Sequence, residues 1–208
     1  MGIHFGVDYY PEHWQRDRWE TDAELMKEMG LTVVRMAEFS WHKLEPQEGK
    51  YDFAWLDDAI DLLGRYGIRT IVGTPTAAPP AWMANRYPEI LPVDREGRIR
   101  GFGGRHHDCQ SNAVYRGFVR KIVTAMAVHY KDNPNVIGWQ PDNELGNSHH
   151  DLCMCESCRK NFQGWLEKKY GTVDRLNEAW GNAFWSQEYN EFSEVFTCLL
   201  YTSDAADE

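Results

Sequence analysis

The chain has 208 residues and a formal net charge of −10, with 42% hydrophobic and 26% charged residues. This length is sufficient for one or two domains with a buried core. Binding to phosphates requires clustered Lys and Arg side chains, so the acidic composition argues against nucleic acids and anionic membrane surfaces as partners. It favours a neutral ligand.

The amino-terminal sequence, MGIHFGVDYYPEHW, lacks the charged region and following apolar run of a secretory signal. No later apolar run reaches the length of a membrane span. We therefore expect a cytoplasmic protein.

The first predicted elements form a β/α/β unit. Residues 3–9 and 31–36 are predicted strands, the second rich in buried and β-branched residues. Apolar residues at helical spacing predict the helix between them: Trp19, Ala23, Met26 and Met29. Gly30 follows, and glycine is typical just after a helix because it tolerates a left-handed backbone.

The same pattern then repeats. The apolar face of a second helix consists of Leu56, Ala59, Ile60, Leu63 and Tyr66. This helix is predicted to stop at Gly67 and to lead into a strand at 68–73. A third helix is predicted to start at Ser111 as its N-cap and to lead into a strand at 136–140. The apolar stripe of this helix consists of Phe118, Ile122, Ala125 and His129.

Repeated β/α units imply a parallel sheet with right-handed crossovers, which leaves a doubly wound sheet or an eight-stranded barrel. No glycine-rich turn follows the first strand, which argues against a nucleotide-binding sheet. The segment 74–110 follows the third strand and is rich in Pro, Gly, Arg, His and Trp. Because such segments build the active site of a barrel, we expect this one to be functional.

The sequence WQPDNELG, residues 139–146, comes at the end of the fourth predicted strand. A carboxylate here, Glu144, can protonate a leaving oxygen while the adjacent amide of Asn143 binds a hydroxyl. The alternative is a polar turn, since Asp, Asn and Gly favour turns in any case.

Four cysteines form a candidate metal site: Cys109, Cys153, Cys155 and Cys158. In a reducing compartment, closely spaced cysteines are more often metal ligands than disulfides, and four thiolates suit tetrahedral zinc without an open position. The alternative is a set of unrelated buried thiols. If zinc is bound, the sulfur atoms should lie roughly 3.7 to 3.8 Å apart, and disulfides would bring pairs to about 2.05 Å.

Several sequence blocks, in order, resemble glycoside hydrolase family 42. They are FGVDYYPEHW, VVRMAEFSWHKLEPQEGKYDFAWLD, GTPTAAPPAWM, RHHDCQSNAVYR and LNEAWGNAFWSQEY, and the resemblance extends over residues 3–197. It implies a (β/α)₈, or TIM, barrel of which this chain encodes the first four β/α units, and a retaining β-galactosidase that is commonly a homotrimer.

The resemblance also implies roles for single residues. Glu144 matches the general acid/base of the family, Asn143 and Arg105 match sugar-binding residues, and Trp185 matches a tryptophan that lines the galactose pocket. Members with the same four cysteines bind zinc. The family nucleophile is a glutamate on the seventh strand, so we expect it to be absent from this chain.

Glu38 and the pair His106–His107 are given structural roles. Glu38 follows the second strand and is expected to bond backbone or a loop Arg, because a catalytic carboxylate needs a partner at a defined distance. The two histidines directly follow Arg105 and are expected to shape its loop.

Two other functions stay open. An α-L-arabinopyranosidase would act on a sugar that lacks only the exocyclic CH₂OH of galactose, a small difference in binding. A non-catalytic, zinc-dependent interaction module would use the cysteines and would not need the candidate sugar-binding residues to converge.

The last residues, CLLYTSDAADE at 198–208, resemble the in-frame translation of a transposon-type sequencing adapter. We therefore predict that residues 1–197 are the amino-terminal half of a catalytic barrel and that 198–208, including Cys198, are foreign to it.

Overall fold

The computed structural model describes residues 3–144 and 152–196. The predicted foreign segment, 198–208, lies outside the described residues. The chain divides into two compact units. The first comprises Met1–Pro88, Phe102–His107 and Gly117–Asn147, and the second comprises Glu89–Gly101, Asp108–Arg116 and Ser148–Glu208.

The first unit contains one parallel sheet with the strand order β1-β2-β3-β4. The strands are β1 (Gly6–Asp8), β2 (Val33–Met36), β3 (Arg69–Gly73) and β4 (Val136–Gln140). The helices of the chain are α1 (Arg18–Glu28), α2 (Trp41–Leu44), α3 (Ala54–Arg65), α4 (Ala81–Arg86), α5 (Ala113–Tyr130), α6 (Glu156–Tyr170) and α7 (Val173–Trp180). The predicted alternation of strands and helices is therefore confirmed, and β4 has the predicted bounds.

Alternating residues of the central strands build the core of the first unit. Val34 and Met36 of β2 and Thr70 and Val72 of β3 are fully buried on one face of the sheet. Arg35 pairs with Ile71 in register and points to the opposite face, where both residues are partly exposed. This second face carries the polar residues of the candidate site at its carboxyl end.

Glycines end the first two long helices, as predicted. Gly30 has φ of 79°, and its N–H donates to the Lys27 carbonyl. Gly67 has φ of 80° and follows α3 in the same way. Met29, predicted on the buried stripe of α1, is instead 65% exposed, and it directly follows the last helical residue, Glu28.

Two predictions about α5 are wrong. Asn112, not Ser111, caps the helix, because its Oδ1 accepts from the N–H groups of Val114 (2.9 Å) and Tyr115 (3.1 Å). The buried stripe does not pass through Ala125 and His129. It consists of Tyr115, Phe118, Ile122, Met126 and Tyr130.

The segment 74–110 is more regular than its composition predicts. It contains α4 and two short 3₁₀ helices, Pro75–Ala77 and Pro88–Ile90. An antiparallel bridge joins Val93 to Ile99 in the part that belongs to the second unit.

The second unit has its own core around α6 and α7. Leu166, Leu176 and Val195 are fully buried in it. Four partly buried aromatic residues pack against them: Phe162, Tyr170, Tyr189 and Phe192. Across residues 3–144 and 152–196, no helix has both the length and the apolar character needed to cross a membrane.

Candidate functional site

The segment after β4 is held against the end of β3. The N–H of Asp142 donates to the Thr74 Oγ1 at 2.6 Å. Asp142 and Glu144 have φ of 59° and 51°, a left-handed backbone conformation that residues other than glycine rarely adopt. Backbone strain of this kind is held in place by surrounding contacts and is concentrated at functional sites.

Asn143 is buried at the same strand end, with 5% of its surface exposed. The Gln140 Nε2 donates to its Oδ1 at 3.3 Å, and the Asn143 N–H donates to the Asp142 Oδ1 at 2.6 Å. The amide is therefore oriented by its neighbours in the chain. Of the WQPDNELG sequence, Leu145 and Gly146 lie outside the described residues.

Glu144 forms an ion pair with Arg105. The distance between the Arg105 Nη2 and the Glu144 Oε2 is 2.7 Å, and the two side chains are 33% and 49% exposed. Arg105 comes from the segment that follows β3, about 40 residues earlier in the chain. The structure thus brings together three of the four residues assigned to the sugar site: Arg105, Asn143 and Glu144.

The two histidines after Arg105 hold its segment, in keeping with their expected structural role. The His106 N–H donates to the Ala77 carbonyl at 2.7 Å. The His107 ring is buried between the carbonyl oxygens of Gly104 (2.9 Å) and Pro79 (3.0 Å). Burial lowers the pKa of His107, although its hydrogen bonds to the two carbonyl groups act in the opposite direction.

Glu38 lies in a polar network at the ends of β1 and β2. It is fully buried, and its Oε1 accepts from the Tyr10 hydroxyl and the Arg35 Nη2, each at 2.9 Å. The Arg35 Nη2 also lies 2.8 Å from the Asp8 Oδ2. Burial and the hydrogen bond to Glu38 raise the pKa of Tyr10, which keeps its hydroxyl protonated.

The expectation of a loop arginine for Glu38 is therefore corrected, because its cationic partner Arg35 lies on a strand. Sequence reasoning missed Asp8, Tyr10 and Arg35. The available signal was their position at the ends of two neighbouring parallel strands, which places them at one edge of the sheet.

Trp185 belongs to the second unit. It is 78% exposed, has φ of 63°, and its ring packs edge-on against Phe184 at 5.1 Å between centroids. The next residue, Ser186, also has a left-handed backbone, with φ of 56°. Membership of Trp185 in the sugar pocket stays a prediction.

The four predicted cysteines converge in the second unit. The Sγ atoms of Cys109, Cys153, Cys155 and Cys158 all lie within 4.8 Å of one another. All four are free thiols. The separations from Cys109 to Cys155 and Cys158 are 3.3 and 3.4 Å, shorter than the predicted spacing around zinc and far longer than a disulfide bond.

Backbone groups fix the cysteine cluster from outside. The Val93 N–H donates to the Cys153 Sγ at 3.4 Å, and the Cys109 N–H donates to the Ile90 carbonyl at 2.7 Å. Hydrogen bonds from Cys109 and Cys158 lower the pKa of Cys153, and hydrogen bonds with Cys153 and Cys158 raise the pKa of Cys109. A cluster of four closely spaced sulfur donors can hold a metal ion that prefers thiolates.

Comparison with known proteins assigns the family. The sequence profile of glycoside hydrolase family 42, described as Beta-galactosidase, matches residues 8–202. The chain belongs to glycoside hydrolase family 42. A Beta-galactosidase of Thermus thermophilus is 54% identical over 190 residues, which are 91% of this chain and 30% of that protein.

Solved family 42 structures have the same fold. The β-galactosidase of the psychrophilic Marinomonas ef1 superposes with a TM-score of 0.91 at 44% identity and covers 97% of this chain. That of the Antarctic haloarchaeon Halorubrum lacusprofundi gives 0.89 at 47% identity and covers 93%. This chain spans 31% and 29% of those two chains.

The predicted family and fold class are confirmed by these comparisons. The chain is an α/β protein with a parallel sheet, and its structural neighbours are TIM-barrel β-galactosidases of family 42. The chain itself spans about 30% of the length of the relatives that it matches.

Proposed function

We propose that this chain is the part of a retaining β-galactosidase that carries its acid/base residue, Glu144. The proposed reaction releases a terminal, non-reducing β-D-galactosyl residue. The observation that carries the proposal is the position of Glu144 at the carboxyl end of β4, next to the buried Asn143 and in contact with Arg105. Family membership and the names of the relatives support the same activity.

In this reaction Glu144 has two roles. Its carboxylic acid protonates the glycosidic oxygen while a second carboxylate, about 5 Å away, attacks the anomeric carbon. Glu144 then takes a proton from water, which displaces the enzyme carboxylate and releases the sugar. Because both steps invert the anomeric carbon, the β configuration is retained.

We place the second carboxylate outside this chain. At the described carboxyl end of the sheet, Glu38 is buried against Tyr10 and Arg35, Asp8 forms an ion pair with Arg35, and Asp142 accepts a hydrogen bond from its own chain. We assign structural roles to these three carboxylates. The 208-residue chain alone is therefore expected to hydrolyse no aryl β-galactoside.

The proposed sugar contacts come from two parts of the chain. Arg105 and Asn143 would donate hydrogen bonds to hydroxyls of the galactosyl ring, since each carries N–H groups at the strand end. From the resemblance to the family, we also propose Trp185 as a sugar-binding residue.

A chimera tests this activity. Residues 8–196 replace the matching segment of the Thermus thermophilus relative, so that this chain's residues act in a protein of full length. The chimera is expected to hydrolyse p-nitrophenyl β-D-galactoside. Glu144→Gln should lower kcat by about 10²- to 10⁴-fold, the usual contribution of general acid/base catalysis.

The controls separate chemistry from folding. Glu28→Gln removes an exposed carboxylate at the end of α1 and should leave kcat unchanged. In Glu144→Ala, a dinitrophenyl galactoside still forms the covalent intermediate, and added azide should then release β-galactosyl azide. A Glu144→Gln chimera as active as its parent would refute the proposed role.

Substrate comparison decides between the sugars. We propose galactose because the relatives are named for it. A chimera with a higher kcat/KM on the α-L-arabinopyranoside would reassign the substrate. A folded chimera that binds zinc and cleaves neither sugar would instead favour the interaction module.

We further propose that the cysteine cluster holds one structural zinc ion. Four sulfur donors would complete a tetrahedral shell and leave no position for water or substrate. The ion would therefore join the 109 and 153–158 segments of the second unit and take no part in hydrolysis. The buried positions of Cys109 and Cys155 and the N–H bond to Cys153 support such a site.

The remaining proposals concern the setting of the protein. We propose that it acts in the cytoplasm, where the four thiols stay reduced. We also propose a homotrimer in the whole protein, from its resemblance to the family, and no nucleic acid or membrane partner, from its acidic charge. Light scattering on the whole protein measures the oligomeric state directly.

A further inference from the structure

The ion pair between Arg105 and Glu144 opposes the first step of the proposed reaction. A general acid must carry a proton, whereas a guanidinium 2.7 Å from the Glu144 Oε2 favours the ionised carboxylate. In this arrangement Glu144 is ready to act as a base and not as an acid. The Arg105 guanidinium must therefore move away from the Glu144 carboxylate before the glycosidic oxygen is protonated.

We propose that the sugar itself does this, by drawing the Arg105 guanidinium from Glu144 onto a substrate hydroxyl. This inference rests on the proposed function. Binding of the galactoside breaks the ion pair, and Glu144 takes up one proton from solvent. The site is thereby converted from a base to an acid only when a substrate is present.

The proton count closes over one turnover. The proton taken up by Glu144 passes to the leaving oxygen as the glycosidic bond breaks and the bond to the nucleophile forms. Glu144 regains a proton from the water that cleaves this intermediate. When the sugar leaves, Arg105 returns and that proton is released to solvent, so the net reaction is hydrolysis alone.

The exposure of the two side chains supports such movement. Arg105 is 33% and Glu144 is 49% exposed, so each has room to change rotamer. The neighbouring pair of Arg35 and Glu38 provides a contrast, because Glu38 is fully buried and also holds Tyr10. Of these two pairs, the Arg105 pair is the one that is exposed on both sides of its contact.

Other charged groups around the pair are already committed. Asp142 accepts from the Asn143 N–H, and Arg35 lies between Glu38 and Asp8. His107 is buried with a lowered pKa, and the His106 backbone is tied to Ala77. Arg105 is the described cation in contact with the Glu144 carboxylate, and its displacement would change the ionisation of that group.

The pH dependence of the chimera tests the proposal. The profile of kcat/KM reports the essential acid of the free enzyme, and that of kcat reports the acid of the complex. We expect the basic limb of the kcat/KM profile to lie about one pH unit below that of the kcat profile. This is the low end of the pKa shift that an opposite charge causes, because the ion pair is partly exposed. Arg105→Ala should bring the two limbs together, and Arg86→Ala, at an exposed pair with Glu48, should not.

A binding measurement provides a readout apart from turnover. Calorimetric titration with a non-hydrolysed galactose analogue, in two buffers of different ionisation enthalpy, counts the protons taken up. At a pH between the basic limbs of kcat/KM and kcat, the parent chimera should take up part of one proton per site, and Arg105→Ala should take up almost none.

The outcomes separate this inference from the proposed function. An active chimera with coincident limbs and no proton uptake would overturn the inference and leave the acid/base role of Glu144 standing. An Arg105→Ala variant that raises KM but keeps the separated limbs would also overturn it, because Arg105 would then bind sugar without controlling Glu144. Loss of all effect of Glu144→Gln would overturn the proposed function instead.

Discussion

Gly73, at the end of β3, allows the buried Glu38 to lie against the strand. A Cβ atom added at Gly73 would lie 2.6 Å from the Glu38 Cβ and 3.0 Å from the Glu38 Cα and backbone N. Rotation of a side chain cannot relieve contacts with backbone atoms. Gly73→Ala must therefore displace Glu38, whose Oε1 holds both Tyr10 and Arg35.

The expected cost follows from these contacts. Overpacking of a core costs about 1–3 kcal/mol, and weakening the hydrogen bonds of a buried carboxylate adds about 1 kcal/mol. The smaller entropy of the unfolded alanine chain offsets about 0.4–1 kcal/mol. We expect Gly73→Ala to lower the free energy of unfolding by about 2 kcal/mol.

Gly138, on the adjacent strand β4, is the matched control. A Cβ atom there would lie 3.6 Å from the Ile71 Cγ1, an ordinary van der Waals contact. Without a steric clash, the smaller entropy of the unfolded alanine chain is the remaining effect. Gly138→Ala should therefore raise the free energy of unfolding by about 0.5 kcal/mol. The two substitutions are chemically identical, so opposite signs would isolate the close approach to Glu38.

Urea denaturation of the 208-residue chain, followed by far-ultraviolet circular dichroism, measures both variants. Similar effects of the two substitutions, or a neutral Gly73→Ala, would refute the packing of Glu38 against β3. A change in the denaturant slope would show that the unfolded or native ensemble had changed, so the midpoints are compared at constant slope.

Three further predictions concern other parts of the chain. Cys155→Ser should reduce the zinc bound under reducing conditions from one ion per chain to well below one, whereas Cys198→Ser should leave it unchanged. Elemental analysis measures the zinc content, and equal zinc in both variants would contradict zinc binding by the cysteine cluster. Asn112→Ala should lower the free energy of unfolding by about 1 kcal/mol and Ser111→Ala by much less, because the Asn112 Oδ1 caps α5. Burial lowers the pKa of His107 in the folded chain, so protonation favours the unfolded state and stability should fall as the pH drops below the ordinary pKa of histidine. His107→Gln should remove this part of the pH dependence in denaturation curves, and an unchanged pH profile would argue against a lowered pKa of His107.

Much of the first unit follows from local sequence. The strand at 136–140 was predicted with its observed bounds because a short apolar run between polar turns has few alternatives. Gly30 and Gly67 were predictable as helix ends because a left-handed backbone favours glycine. The convergence of the four cysteines was predicted from the close spacing of three of them and from the resemblance to the family.

The errors have a common physical cause. Ser and Asn are both good N-caps, and only the direction of the chain at the start of α5 selects Asn112 over Ser111. Likewise, the stripe through Met126 rather than Ala125 depends on how the helix is rotated against the sheet. Periodicity constrains this rotation only to within about one residue, because neighbouring helical faces differ by about 100°.

The sequence by itself determined the alternation of strands and helices, the placement of Glu144 after β4, and the cysteine set, because each depends on local propensity or on ligand chemistry. The tertiary structure alone decided which charges meet. Arg105 reaches Glu144, and Arg35 reaches Asp8, because parallel strands bring their carboxyl ends to one edge of the sheet. Ion pairs between such distant segments leave no local pattern, since any Arg in the sequence could pair with any carboxylate until the strands fix the distances.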